Sequence, residues 1–112
     1  MPQFSNEQIR KAVSETESKI TFHTDFDNDF LKRVFSTSHD VYTKRLEFSG
    51  ITGHKRVLDA GSGFGQWTLA LSESNEHVHA IDINIVRLKV LKQLQSELGI
   101  NSIFPTVGQL NE

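Results

Sequence analysis

Residues 57–65 read Val57-Leu58-Asp59-Ala60-Gly61-Ser62-Gly63-Phe64-Gly65. A short apolar run ends in an acid and passes into three glycines at alternate positions. The following segment, Gln66 to Ser74, carries Trp67, Ala70 and Leu71 at helical spacing. The pattern is a strand, a tight glycine turn and a helix. Glycines tolerate positive φ and let a ligand come close to the backbone. The amides at the start of the helix beyond them suit a carboxylate or a phosphate.

Toward the C-terminus, Asn75 and Glu76 make a turn and His77-Val78-His79-Ala80-Ile81-Asp82 reads as a second strand. Ile85, Leu88, Leu91, Leu94 and Leu98 mark a longer helix that stops at Gly99, and Ile103-Phe104-Pro105-Thr106-Val107 reads as a third strand. Strands alternating with helices of this length imply a parallel, doubly wound α/β sheet of the Rossmann-like kind. Proline cannot donate to a strand ladder, so Pro105 places the third strand at the rim. With right-handed crossovers the strand order is 3-2-1.

Toward the N-terminus the character is helical. Ser5 and Gln8 have capping-box spacing, with Phe4 set to pack on Ile9, and Ile9, Ala12, Val13, Thr16 and Ile20 form a helical stripe. Residues 21–27 break the pattern. A second helix is expected from Asp27 or Asn28, with Phe30, Leu31, Val34 and Phe35 as its apolar face. Ser38 is placed to cap a third, carrying Val41, Tyr42, Arg45 and Leu46 and ended by Gly50 and Gly53. The chain thus divides into a helical cap, 1–53, and a partial Rossmann-like domain, 54–112.

Composition narrows the function. The 112 residues carry 12 Lys and Arg against 14 Asp and Glu, for a net charge of −2, which argues against nucleic-acid binding through bulk positive charge. No cysteine is present, which removes disulfides and cysteine-based zinc sites. The longest uncharged stretch, Ala60 to Ser72, is too short and too rich in glycine to span a membrane. The opening residues lack the apolar core of a signal peptide. The expectation is a soluble, cytoplasmic protein that binds a small molecule.

Asp82 follows Asp59 by 23 residues and ends the neighbouring strand. Both acids therefore fall at the carboxyl edge of one sheet, where open α/β folds bind ligands. An acid there can accept two hydrogen bonds from ribose hydroxyls, which points to a nucleoside-containing cofactor. Gly61-x-Gly63-x-Gly65 departs from the dinucleotide spacing G-x-G-x-x-G. A carboxylate at Asp59 would also repel a pyrophosphate. It suits a ligand with an ammonium group and a sulfonium centre, and S-adenosyl-L-methionine has both.

VLDAGSGFG followed by HAIDI resembles the first motif and the following acidic strand of class I S-adenosylmethionine-dependent methyltransferases. The resemblance covers roughly residues 55–112, with looser agreement in the YTKRLEFSGITGHKR segment upstream. It implies that Asp59, with Gly61, Ser62 and the turn through Gly63, bounds the methionine end of the cofactor. Asp82 would hold the ribose and Ile83 would lie against the adenine. Gln109 stands where the family often has an aspartate that meets the adenine amino group, and its side-chain carbonyl can accept the same bond. Ser62 stands where the family commonly has cysteine. The implied reaction is methyl transfer to an unidentified N, O, S or C acceptor; no catalytic base is assigned.

The family's sheet has seven strands in the order 3-2-1-4-5-7-6, so strand 57–59 would be central and the chain would be the first half of a longer enzyme. Its other side would then stand open, a site for self-association or for a partner. A non-catalytic half-domain that pairs through this edge is the second reading. A nicotinamide-dependent oxidoreductase is the third, disfavoured by Asp59 and the glycine spacing.

Plainer readings stand beside these. Asp59 and the glycines make a strand-to-helix turn with Asp59 as a cap, or Asp82 caps the helix that follows it. His77 and His79 share a strand face, with no evident third ligand for a metal and partial burial expected instead. Asp25-Phe26-Asp27-Asn28-Asp29 begins like a calcium loop, but its sixth position is Phe30 and its twelfth is Ser36, so a solvated loop with a helix cap is expected. Tyr42 and Arg45 are weak candidates for cofactor contacts, Lys44 belongs to a solvated face, and Trp67 is expected to pack under the sheet. The leucine stripe from Leu88 to Leu98 is core.

Overall fold

The computed structural model describes residues 4–21 and 25–108. Three helices, α1 (Asn6–Lys19), α2 (Asp25–Val34) and α3 (His39–Ser49), precede an alternating unit of β1 (Arg56–Ala60), α4 (Gln66–Ser74), β2 (His77–Asp82), α5 (Ile85–Leu98) and β3 (Ile103–Val107). The three strands are parallel, with β2 central and β3 at one edge. The order is the one expected from Pro105, which lies beside Ala80 in the edge strand.

Paired residues of a parallel sheet share a face, so the register divides the sheet cleanly. Val57, Val78 and Ile103 form one row and Asp59, Ala80 and Pro105 the next, all on the face that α4 and α5 cover. Val78, Ala80 and Ile103 are buried there against Leu69, Leu88, Leu91 and Leu94. The opposite face carries Leu58, His79 and Phe104 in one row, and all three are exposed. Phe104 stacks on His79 with ring centroids 5.2 Å apart and lies 5.8 Å from His77. No described helix covers these rings, and β1 has no described neighbour on its outer side.

Of the N-terminal helices, α1 packs against α5 and α3 against α4. The α1 start is a capping box: the Gln8 amide donates to the Ser5 hydroxyl at 3.1 Å, and the Ser5 amide donates to the Gln8 side chain at 2.8 Å. The α1 stripe Ile9, Ala12, Val13 and Thr16 is buried as its spacing predicts. Helix α2 begins at Asp25, earlier than expected, so the acidic run is its first turn rather than a loop. Asp27, near that end, complements the helix dipole. Ser38 stands at the start of α3 without a side-chain capping bond, and Gly50 closes it in the left-handed region at φ 75°.

Two aromatic expectations are corrected. Trp67 packs edge-on against Tyr42 at 4.7 Å, so it joins α4 to α3 rather than lying under the sheet. Tyr42 is buried and donates its hydroxyl to the Val34 carbonyl at 3.0 Å, which removes it from the cofactor candidates. Arg45 is exposed on α3. The α3–α4 seam also holds a buried His39–Glu73 pair, with Nε2 and Oε1 2.6 Å apart. The same Glu73 oxygen accepts the Phe4 amide at 3.0 Å, so one carboxylate joins α4, α3 and the entry to α1. Within the described residues no helix is long and apolar enough to cross a membrane.

Candidate functional site

The site forms where β1 and β2 end side by side. Asp59 is level with Ala80, so Asp82 lies two residues further along the neighbouring strand on the same face. The turn between β1 and α4 leans across to β2: the amides of Gly61 and Ser62 both donate to the Ile81 carbonyl, at 2.7 and 3.1 Å. The Gly63 amide then donates to Oδ2 of Asp82 at 2.8 Å. Oδ1 of Asp82 accepts the Asn84 amide at 2.8 Å. Asn84 in turn caps α5 by accepting from the amides of Val86 and Arg87. Asp82 thus orders the site from its own side, and Asn84 rather than Asp82 is the helix cap.

Two glycines are needed here for different reasons. Gly63 sits at φ 59°, a conformation costly for other residues, and an added Cβ would meet no atom within 4 Å. Gly65 sits at φ 95°, and an added Cβ would lie 2.4 Å from Cδ1 of Leu91. The first glycine therefore faces open space at the strand tip. The second permits the close seating of the turn against α5. The space over Gly61 is likewise clear within 4 Å.

Asp59 does not cap an α4 amide. Its Oδ2 accepts the Thr68 hydroxyl at 2.6 Å, within the first turn of the helix. Burial holds the Asp59 carboxyl above the ordinary carboxylate range; the Thr68 bond acts against this shift and the nearby Asp82 charge adds to it. A desolvated carboxyl beside a like charge is a receptor for a cation, because a positive ligand favours the ionised form and offsets both penalties. Ser62 is buried in the turn and its hydroxyl has no hydrogen-bond partner. Ile83 follows Asp82 and is 69% exposed, an apolar surface at the lip of the site. Gln109 lies outside the described residues.

These features fit the expected cofactor. An ionised carboxylate offers about four lone-pair positions, and the backbone occupies two at Asp82. Capacity for a ribose diol therefore remains. The room over Gly61 and Gly63, the partnerless Ser62 hydroxyl and the desolvated Asp59 fit a ligand that carries both a cation and hydrogen-bonding groups. A cavity of about 300 Å³ between α1 and the α2–α3 turn, lined by Ile9, Val13, Phe35 and His39 among others, contains no residue of the glycine turn. Two charged residues, Glu73 and Arg87, escaped the sequence reading. Glu73 is an acid buried in a helix with little other charge, and that scarcity is the signal that marks it. Arg87 reads as a surface cation at the start of α5, yet it packs on two aromatic rings.

No family model and no curated protein matches the sequence. Solved structures do match its fold. An S-adenosylmethionine-dependent methyltransferase from Clostridium acetobutylicum superposes with a TM-score of 0.57 at 14% identity, covering 78% of this chain and 36% of that one. A structure described as a putative S-adenosyl-L-methionine-dependent methyltransferase, from Methanococcus maripaludis, gives 0.55 at 22% identity over 63% of this chain and 33% of its own. An rRNA methylase from Streptococcus thermophilus gives 0.51 at 25% identity, covering 63% and 40% respectively. The chain spans no more than 40% of the length of any of these three structures. Its three-stranded parallel sheet, glycine turn and flanking helices have the fold of the N-terminal half of a class I S-adenosylmethionine-dependent methyltransferase.

Proposed function

We propose that the chain binds S-adenosyl-L-methionine and serves a methyltransferase as its cofactor-binding half. One observation carries the reading: two carboxylates, Asp59 and Asp82, stand on the same face at adjoining strand tips, with clear space over Gly61 and Gly63. In this reading Asp82 receives the ribose hydroxyls. Asp59, Gly61, Ser62 and Gly63 bound the methionine end, and Ile83 and Gln109 border the adenine. When bound, the cofactor supplies an electrophilic methyl group on a sulfonium. The chain's residues contribute orientation and removal of water around that charge. The compartment in this reading is the cytoplasm.

Calorimetric titration with S-adenosylhomocysteine and with NAD tests this directly. Saturable binding of the first, uncontested by the second, is the expected result. Binding of NAD in preference would return the oxidoreductase reading.

A second reading is supported by the exposed row Leu58, His79 and Phe104 and by the outer side of β1. In it the chain is a non-catalytic half-domain that pairs with a partner or with a second copy. Sedimentation across a concentration series separates the two: a monomer at all concentrations argues against self-pairing.

A further inference from the structure

The guanidinium carbon of Arg87 lies 4.9 Å from the centre of the Phe30 ring and 5.7 Å from the centre of the Phe64 ring. The two rings are themselves 5.6 Å apart and tilted by 58°. Three separate elements meet at this cation: α2 through Phe30, the glycine turn through Phe64, and α5 through Arg87. Among the described residues no carboxylate pairs with Arg87, and its Nε is buried without a hydrogen-bond partner. A partly desolvated cation in that state is held by the ring faces, whose negative quadrupoles attract it more strongly as water is removed.

Phe64 is the place where such a contact matters. It is fully buried between Gly63 and Gly65 in the chain. Gly63 donates to Asp82, and Gly65 seats against Leu91. The turn is therefore fastened to the β2–α5 unit at three successive residues, and the middle fastening is shared with α2. Moving α2 removes one of the two rings that adjoin the Arg87 guanidinium and loosens Phe64, the residue between the two glycines that frame the site.

The geometry points to Arg87 as a positioning residue that makes the order of the glycine turn, and hence cofactor affinity, depend on the seating of α2. The affinity part rests on the cofactor reading above; the mechanical coupling stands on the contacts alone. Arg87→Met keeps an apolar stem of similar reach and removes the cation. Phe30→Leu removes the α2 ring and leaves the cation. Both are expected to speed amide hydrogen exchange at Gly63 and Gly65 by several-fold and to weaken S-adenosylhomocysteine binding about tenfold, equivalent to about 1.4 kcal/mol. The double variant is expected to lose little beyond either single one, because both break one shared contact. Arg87→Lys retains a cation and is expected to recover part of both readouts.

A lower unfolding midpoint with unchanged turn exchange would overturn the coupling, as would additive effects in the double variant. Exchange needs no ligand. Failure of the unaltered chain to bind S-adenosylhomocysteine would therefore overturn the cofactor reading, and with it the affinity claim, while the exchange rates still decide the coupling.

Discussion

Gly63 donates its backbone amide to Oδ2 of Asp82 at 2.8 Å, so the turn leaving one strand is fastened to the carboxylate that ends the next. The spacing of 23 residues between Asp59 and Asp82 acquires a physical meaning here. It brings an acceptor to a glycine amide whose backbone, at φ 59°, aims it across the sheet.

Asp82→Ala leaves the Gly63 and Asn84 amides without their acceptor. The expected cost is about 2–3 kcal/mol of folding stability, since buried donors lose charge-assisted bonds. S-adenosylhomocysteine binding is expected to weaken by a comparable amount. Urea unfolding and calorimetry measure the two losses separately. Unchanged affinity in a folded variant would remove Asp82 from the ribose role.

Asp59→Asn is expected to move stability and binding in opposite directions. The Asp59 carboxyl is held above its ordinary range mainly by burial, so the folded chain binds its proton more tightly than the unfolded chain does. Its favourable contribution is complete below the unfolded pKa and is lost as pH rises through the folded one. At neutral pH the ionised group therefore weakens the fold, and the amide, which still accepts from Thr68, should raise the unfolding midpoint. Binding of the cationic cofactor should fall about tenfold. The binding of S-adenosylmethionine by the unaltered chain should also decline on acidification at a higher pH than an unperturbed aspartate would give.

Gly63→Ala and Gly65→Ala separate ligand space from packing. At Gly63 the added methyl meets nothing within 4 Å, so the stability cost is the left-handed backbone alone, about 1 kcal/mol. That methyl enters the space assigned to the ligand, and binding should fall sharply. At Gly65 the methyl would lie 2.4 Å from Leu91, and strain adds to overpacking for about 3 kcal/mol. Thermal unfolding should rank the second variant far below the first. Equal losses of stability would contradict the open space over Gly63.

Glu73→Ala removes the acceptor shared by His39 and the Phe4 amide in a seam closed to water. Breaking one side of a buried pair is costly, and about 3 kcal/mol is expected. Arg10→Ala deletes a pair whose side chains are 69% and 80% exposed, and the midpoint should not move. Chemical denaturation of the two variants checks the contrast.

Much of this architecture was legible because local rules and tertiary packing agree. Strand 77–82 alternates polar and apolar residues from His77 to Ala80, and strand 103–107 carries the proline that an edge tolerates. Gly99 ends α5 at φ 67°, where the leucine stripe stops. The two acids and the glycine turn were readable for the same reason: their positions follow from chain order on adjoining strands.

What escaped depends on which helix approaches which. Trp67 and Tyr42 each show a helical pattern, but periodicity does not reveal that α3 would bring one against the other. Glu73 and Arg87 are charged residues of the kind that usually face water. Their contacts reach partners 34 and 57 residues away, His39 and Phe30, and no local window contains both members of either pair. The early start of α2 reflects acids that favour the first turn of a helix as readily as a loop.

The aromatic row formed by His79 and Phe104 has a calorimetric consequence. Heat capacity rises on unfolding in proportion to the nonpolar area that becomes newly wetted. A sheet dressed on one side leaves the nonpolar side chains of its other face, Leu58 and Phe104, already in contact with solvent. The transition of this chain should therefore show an increment per residue below the usual value of about 12–15 cal/mol/K. Its stability curve should be correspondingly shallow, changing little between cold and warm conditions.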